Sequence, residues 1–330
     1  MNLGKHKKVL IIRLSSLGDI LLSTPLLRTL KEKYQQIEID FLLKEQYKDV
    51  LIQNPYINNI FIYPYNKDKL TKLNEDLNNQ NYDLVLDLQN NFRSKKIYSL
   101  LNVPRLKFHK RDLEKLLLVY FKINRLKNSP PIPVRYSNTL EKFNLDHNGL
   151  DLYTNKTSSN LFKYDKNYIG FCPGSRHFTK MWPKEYFIEL GNILKNKKYD
   201  VALFGGKDDK KICEEISAEI PDSLNLTNND DILQTAADMK KCDAIVCNDS
   251  GLMHTACAEK IPVLTFFGST VKEFGFVPYG NKNIILENNS LSCRPCTHIG
   301  KSYCPRRHFK CMLEIKPNVA FNKLNLLLNS

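Results

Sequence analysis

Residues 8–31 read KVLIIRLSSLGDILLSTPLLRTLK, a stretch in which a strand pattern is followed by a loop and a helix pattern. Its first part, residues 8–14, is an apolar run rich in Val, Ile and Leu that predicts a buried strand. The loop SSLGD at residues 15–19 follows, and a helical pattern then runs through Pro25 and Leu30. A buried strand that turns through a polar loop into a helix is the repeating unit of a parallel α/β sheet.

The same alternation recurs in both halves of the chain. The further predicted strands are residues 37–43, 59–63, 82–88, 167–173, 199–205, 242–248 and 261–268, with helices predicted at 183–196, 208–219 and 252–259. Prolines in residues 127–138 and a polar stretch at 148–160 separate the halves, because proline does not continue a helix. We therefore predict an α/β protein of two domains, residues 1–160 and 161–330, each with a parallel sheet covered on both faces.

Length and composition favour a folded cytoplasmic protein. The chain has 330 residues, more than one hydrophobic core usually supports, and its 42% hydrophobic content excludes disorder. No apolar run is long enough to cross a bilayer, and the N-terminal apolar stretch is cut by Arg13 and lacks a signal-peptide cleavage pattern. Nine cysteines without a secretion signal indicate a reducing compartment.

The charge predicts an anionic partner. The formal net charge is +14, and the segment from Arg93 to Lys127 holds eleven Lys or Arg against two acidic residues, a net charge of +9. Leucines and aromatics interleave with these cations, which is typical of a basic amphipathic surface on anionic lipid. A solvated basic face over ordinary core leucines is the alternative. No nucleic-acid recognition motif is present, so nucleic acid is not the expected partner.

Ligands of open parallel sheets bind beyond the carboxyl ends of the strands, so the loop that ends in Asp19 is the first candidate site. Asp19 is either an N-terminal cap of the following helix or a general base held by Ser15 and Ser16. The loop lacks the Gly-x-Gly-x-x-Gly fingerprint, and the chain has no P-loop motif. Dinucleotide oxidoreductases and P-loop enzymes are therefore disfavoured.

Two loops of the second half predict anion binding. In residues 172–183, Gly174, Ser175, Arg176 and Lys180 combine free backbone amides, a hydroxyl and cations, as a pyrophosphate requires. A surface loop with chance basic residues is the alternative.

The other loop follows the strand at 242–248. Here Ser250 and Gly251 present amides, Asp249 caps the helix or orients the site, and His254 lies about one turn into the helix. His254 equally fits a histidine whose hydrogen bonds are satisfied inside a helix.

Four cysteines near the end of the chain form the pattern C-x2-C-x7-C-x6-C, at Cys293, Cys296, Cys304 and Cys311. Such a set is a weak candidate for a structural metal, because the later spacings differ from those of standard zinc motifs. Buried thiols are the alternative.

Four stretches together, RLSSLGDILLSTPLLRTLK, CPGSRHFTKMWPKEYF, LFGGKDD and CNDSGLMHTACA, resemble the bacterial ADP-heptose:lipopolysaccharide heptosyltransferases, glycosyltransferase family 9. The resemblance covers nearly the whole chain. It implies the GT-B architecture, in which two Rossmann-like domains with parallel sheets face each other across a cleft. The N-terminal domain would hold the acceptor and the C-terminal domain the nucleotide sugar, and the C-terminal helix is free to pack back on the first domain.

The resemblance also implies roles for single residues. Asp19 would be the general base that takes a proton from an acceptor hydroxyl. The hydroxyl oxygen then attacks the anomeric carbon and inverts its configuration. Ser16 and Gly18 would shape its loop, and Arg93 would contact carboxylates or phosphates of the acceptor. The matching donor residues are Gly174, Ser175 and Lys180 for the diphosphate, Asp208 or Asp209 for the ribose or adenine side, and Asp249, Ser250, Gly251 and His254 for the second donor loop.

The resemblance implies that ADP-heptose is a substrate, that no cofactor is required, and that the acceptor is an anionic lipid-linked glycan of the lipid A–Kdo type. A monomer at the cytoplasmic face of the inner membrane is expected. Two positions depart from the family pattern, since Arg13 replaces the first-strand lysine and Gly174 stands where some members have threonine. The alternatives are a GT-B enzyme that uses another nucleotide sugar, such as a UDP-sugar epimerase, and a non-catalytic membrane scaffold.

Overall fold

The sequence builds two parallel β-sheets in the computed structural model, which describes residues 6–99, 101–141 and 143–329. The strands of the first sheet are β1 (Lys8–Ile12), β2 (Glu38–Leu43), β3 (Asn59–Ile62), β4 (Leu84–Asp87) and β5 (Arg105–Lys107). Their spatial order is β3-β2-β1-β4-β5, so β1 pairs with both β2 and β4. The order reverses between β1 and β4, which is where open α/β sheets bind ligands.

The helices of this half of the chain are α1 (Leu17–Leu21), α2 (Thr24–Lys33), α3 (Lys67–Asn78), α4 (Phe92–Tyr98), α5 (Asp112–Phe121) and α6 (Ile132–Ser137). The helix predicted to run through Pro25 and Leu30 is therefore two helices, α1 and α2. The helix is interrupted at Ser23, whose hydroxyl donates to the Ile20 carbonyl. Pro25 lies at the start of α2. Proline favours a helix start because its missing N–H is not needed there.

The second sheet contains β6 (Asn167–Cys172), β7 (Tyr199–Leu203), β8 (Leu224–Asn225), β9 (Ala244–Asn248), β10 (Val263–Phe267) and β11 (Asn283–Glu287). Its order is β11-β10-β9-β6-β7-β8, and it reverses between β6 and β9. The helices are α7 (Lys184–Asn196), α8 (Lys210–Ser217), α9 (Ile232–Met239), α10 (Gly251–Ala258), α11 (Lys310–Leu313) and α12 (Pro317–Asn329). The α/β class with two Rossmann-like parallel sheets is confirmed.

The chain folds as two compact units, and each sheet belongs to one of them. The first unit contains Met1–Arg111 and Pro130–Tyr153, and the second contains Asp112–Ser129 and Thr154–Ser330. The chain thus enters the second unit briefly, at α5, before it returns. The predicted division at residue 160 lies close to the last crossing but places α5 in the first domain. Helix α12 packs against α7, β10 and β11 of its own unit.

Each unit contains a buried side chain whose contacts hold several elements together. In the first unit Arg28, on α2, donates to the carboxylates of Asp146 and Asp151, and this network ties residues 130–153 to α2. In the second unit the fully buried Trp182 stacks on Phe266, with ring centroids 4.2 Å apart. None of the helices in the described ranges is long and apolar enough to span a membrane.

Candidate functional site

The carboxylate of Asp19 lies beyond the carboxyl end of β1, in the first turn of α1. The backbone N–H and the hydroxyl of Ser16 donate to Asp19 Oδ2, at 3.0 and 2.8 Å. Arg13 Nη2 lies 2.5 Å from Asp19 Oδ1, and the Tyr136 hydroxyl donates to the same oxygen at 3.5 Å. Asp19 therefore does help to cap α1, as the capping-box partner of the N-cap residue Ser16, and 13% of its side chain remains exposed.

The surroundings of Asp19 keep it ionised at neutral pH. Burial alone raises the pKa of the carboxyl, but the Arg13 guanidinium and the hydrogen bonds from Ser16 outweigh burial and hold the pKa below its usual value. Burial also raises the pKa of the Tyr136 phenol, which therefore stays a hydrogen-bond donor. The site presents a fixed carboxylate that is able to accept a proton from a hydroxyl.

Arg13 also joins the loop after β1 to the loop after β4. Its Nη1 donates to the Leu88 carbonyl at 2.7 Å, and Gln89 Oε1 accepts from the backbone N–H of Leu14 at 2.9 Å. Asp87, at the end of β4, accepts the N–H of Gln89 at 3.0 Å and so holds the second loop in place. The two loops at the reversal of the sheet are thus one rigid element that positions Asp19.

The other predicted residues of this unit lie near the same end of the sheet. Ser16 is exposed and bonds Asp19 directly, whereas Gly18 is buried within α1. Arg93 lies in the first turn of α4 with its side chain exposed, and the Asn91 cap of α4 fixes the start of that helix. The sequence reasoning missed the contributions of Gln89 and Tyr136. The arginine that interrupts an apolar strand at position 13 was the available signal for a buried ion pair.

In the second unit, the two predicted anion loops meet at an ion pair. Lys180 Nζ lies 2.7 Å from Asp249 Oδ2, and the Thr270 hydroxyl donates to the same oxygen at 2.8 Å. Asn248, at the end of β9, accepts the N–H of Trp182 at 2.9 Å and donates to the Pro173 carbonyl at 2.7 Å. The loops after β6 and β9 are therefore held together where the sheet order reverses.

Gly174 lies directly against Asp209. A Cβ atom at position 174 would overlap the Asp209 carboxylate, so any larger residue there would have to displace that side chain. Asp209 also accepts the Gly206 N–H at 3.2 Å, and burial raises its pKa. Asp208 is exposed. Of the two aspartates that the sequence left as alternatives, the structure places Asp209 beside the loop of Gly174.

The start of α10 offers further groups for an anion. Ser250 is its N-terminal cap, and the buried Ser250 hydroxyl has no hydrogen-bond partner among the described residues. Gly251 opens the helix, whose first N–H groups carry a partial positive charge. His254 is buried one turn further in. On the loop after β6, Ser175 is half-buried and Arg176 is exposed.

The C-terminal cysteines remain free thiols. Cys293, Cys296, Cys304 and Cys311 form no disulfide, and Cys293 Sγ lies 3.8 Å from His308 Nε2. Burial and the neighbouring cysteines raise the pKa of Cys296. Within the described ranges, no three His, Cys, Asp or Glu side chains are arranged to hold a metal ion.

Comparisons with known proteins agree with this architecture. The family model described as glycosyltransferase family 9 (heptosyltransferase) matches residues 70–305. The chain is 26% identical to lipooligosaccharide heptosyltransferase 2 of Haemophilus influenzae, with 97% of this chain and 99% of that protein covered. It is also 26% identical to lipopolysaccharide heptosyltransferase 2 of Escherichia coli K12, with 97% and 98% covered.

Solved structures have the same fold. The structure of Escherichia coli ADP-heptose LPS heptosyltransferase II superposes with a TM-score of 0.72 at 25% identity, covering 98% of each chain. A glycosyl transferase family 9 structure from Veillonella parvula gives a TM-score of 0.76 at 20% identity, with 98% of this chain and 97% of that chain covered.

Proposed function

Since the chain belongs to glycosyltransferase family 9, and is a glycosyltransferase with a GT-B type fold, we propose that it transfers heptose from ADP-L-glycero-D-manno-heptose to the Kdo/heptose inner core of lipopolysaccharide with inversion. Support comes from two relatives named heptosyltransferase 2 that are similar over nearly their whole length. The observation that carries the proposal is the ionised Asp19 carboxylate, fixed by Arg13 and Ser16 at the reversal of the first sheet.

In the proposed reaction, an acceptor hydroxyl gives its proton to Asp19 Oδ1 or Oδ2 as its oxygen attacks the anomeric carbon of the heptose. One C–O bond forms to the acceptor, and the C–O bond to the β-phosphate breaks with its electron pair leaving on ADP. A single displacement inverts the anomeric centre. The negative charge therefore moves from Asp19 to the departing diphosphate, so the enzyme needs a carboxylate at one end and cations at the other.

Lys180 and the start of α10 are the proposed diphosphate site. The Lys180 ammonium already has Asp249 as a partner, and a bound diphosphate would share that cation. The unpartnered Ser250 hydroxyl and the first N–H groups of α10 supply neutral donors, and Arg176 adds a second, exposed cation. These groups are able to neutralise the leaving ADP without a metal, in keeping with the expectation that no cofactor is required. Asp209, beside Gly174, is the proposed contact for the ribose or adenine.

The proposed acceptor is an anionic lipid-linked glycan of the lipid A–Kdo type. The exposed Arg93 on α4 is the candidate contact for its carboxylates or phosphates. Such an acceptor places the enzyme at the cytoplasmic face of the inner membrane as a peripheral protein, and we propose that it works there as a monomer.

A donor panel tests the proposed chemistry. The thermal unfolding midpoint is measured with ADP-heptose, a UDP-hexose and a GDP-hexose at equal concentration, because a ligand that binds only the folded state raises the midpoint. ADP-heptose should protect most, and it alone should yield a glycosylated product with a Kdo-bearing acceptor. Equal or greater protection by the UDP-hexose, with transfer from it, would overturn the heptose assignment but leave the family membership intact.

A further inference from the structure

Helix α5 presents apolar side chains to solvent as well as to the core. Leu113, Leu116 and Tyr120 are spaced by three and four residues, so they share one helix face, and they are 66%, 47% and 72% exposed. On the opposite side, Leu118 and Val119 are buried in an apolar cluster of the second unit. Exposed apolar residues that share one helix face form a contiguous patch, and such patches mark interaction sites more than scattered apolar residues do.

Cations and further apolar residues extend the exposed face beyond α5. Phe121 and Ile123 are 70% and 48% exposed, and the next residues include exposed Arg125 and Lys127. The segment with net charge +9 that the sequence predicted as one basic surface is divided, because residues 93–111 belong to the first unit. Leu100 of that segment lies outside the described residues. The part at α5 retains both the exposed apolar residues and several cations.

A loop from the other end of the chain lies against α5. Lys122, just after the helix, donates from Nζ to the carbonyls of Cys293 and Pro295, at 3.1 and 2.7 Å. Between α5 and this loop is a cavity of about 370 Å³, lined in part by Tyr120, Lys122, Lys301 and Arg306. The cavity has an apolar wall and three cations.

The loop contributes an exposed apolar and basic surface of its own. Ile299 and Tyr303 are 55% and 64% exposed, and Lys301, Arg306 and Arg307 are exposed beside them in the chain. Nothing local in the sequence connects this loop with α5, because Lys122 is 171 and 173 positions from its partners Cys293 and Pro295.

We propose that residues 112–127 and 299–307, named here the docking surface, bind a bilayer that contains anionic phospholipid, with a lipid phosphate held in the cavity by Lys301 and Arg306. The exposed apolar side chains of α5 would enter the bilayer interface while the surrounding cations contact the headgroups. A ten-residue helix is too short to hold a membrane by apolar contact alone, so both contributions are needed. A second copy is a poorer occupant, because two basic surfaces of a chain with net charge +14 repel each other.

This inference deepens the proposed function, since a lipid-linked acceptor is presented by such a membrane, but it does not depend on the transfer chemistry. The test is co-sedimentation of the full chain with vesicles of phosphatidylcholine alone or of phosphatidylcholine mixed with phosphatidylglycerol. The wild-type protein should bind the mixed vesicles, less tightly as salt increases, and should bind neutral vesicles weakly.

Two paired variants separate the contributions. Lys301→Gln with Arg306→Gln should weaken binding to the mixed vesicles about 30-fold, at about fivefold for each cation removed. Leu116→Ser with Tyr120→Ser should weaken it about tenfold or more. The matched controls are Lys211→Gln and Tyr164→Ser, whose side chains are exposed outside the docking surface, and they should bind like wild type. Because every changed side chain is exposed, and Lys122, which bonds the loop to the end of α5, is left intact, thermal unfolding should be unaltered.

The proposal is overturned if the docking-surface variants sediment with mixed vesicles as well as the controls do, or if neutral vesicles bind the wild type equally. It is also overturned if the wild type is a dimer in analytical ultracentrifugation and the Leu116→Ser/Tyr120→Ser variant is a monomer, since a second copy then covers the face. Transfer to a Kdo acceptor without acyl chains separates the two proposals. Vesicle binding without any such transfer refutes the proposed function alone, and transfer without vesicle binding refutes the docking surface alone.

Discussion

Replacing Lys180 with methionine should weaken ADP binding, and restoring the charge balance at Asp249 should recover part of the loss. In the structure Lys180 Nζ lies 2.7 Å from an Asp249 carboxylate that is only 8% exposed. Lys180→Met removes the cation proposed for the diphosphate and leaves that carboxylate without its ammonium partner, beside the ligand's negative charge. A hydrogen bond to a charged group contributes about 1.5–3 kcal/mol, so we expect ADP affinity to fall about tenfold to 150-fold.

The assay is titration calorimetry of ADP in a double-mutant cycle. Asp249→Asn alone keeps the Thr270 hydrogen bond and removes the negative charge, and it should change ADP affinity less than Lys180→Met does. The double variant should bind ADP more tightly than Lys180→Met, because the uncompensated carboxylate is gone. The proposed role of the ion pair would be refuted if Lys180→Met bound ADP with wild-type affinity. It would also be refuted if the loss of ADP affinity in the double variant equalled the sum of the losses in the two single variants.

Three further changes test other parts of the account. Arg13→Met removes the cation that holds the pKa of Asp19 low, so the pKa of Asp19 should rise. The acidic limb of the pH profile of kcat/KM should then move to higher pH. Arg13→Lys keeps the charge and should move this limb less. Gly174→Ala should weaken ADP binding measured by calorimetry with little change in circular dichroism, because the new Cβ displaces the Asp209 carboxylate. Arg28→Met should lower the free energy of unfolding in urea by about 3 kcal/mol, because it leaves two partly buried carboxylates without their guanidinium partner.

The sequence predicted eight of the eleven strands in the described residues, and the loops after them, because both signals are local; it missed β5, β8 and β11. An apolar run such as residues 8–14 and a polar loop that follows it are read from neighbours in the chain. The reversal of strand order then brings the loops after β6 and β9 together without any further information. The break between α1 and α2 was missed, although Pro25 marks it.

Long-range partners were beyond sequence reasoning. Tyr136 bonds Asp19 from 117 positions along the chain, and nothing local to either residue indicates it. Spacing alone also did not determine which of Asp208 and Asp209 lies beside the Gly174 loop, and the structure places Asp209 there. Similarly, α5 follows residues of the first unit in the chain, and only its buried cluster with Val271 and Phe274 assigns it to the second.

The most direct test of the proposed mechanism is the initial rate of heptose transfer from ADP-heptose to a Kdo-bearing acceptor by the Asp19→Asn variant. Asparagine keeps the shape of the side chain but does not accept a proton, so the rate should fall about 100-fold to 10,000-fold. ADP affinity measured on the same preparation should stay at the wild-type value, because no donor-binding residue has changed. A transfer rate within a few-fold of wild type would contradict the assignment of Asp19 as the general base.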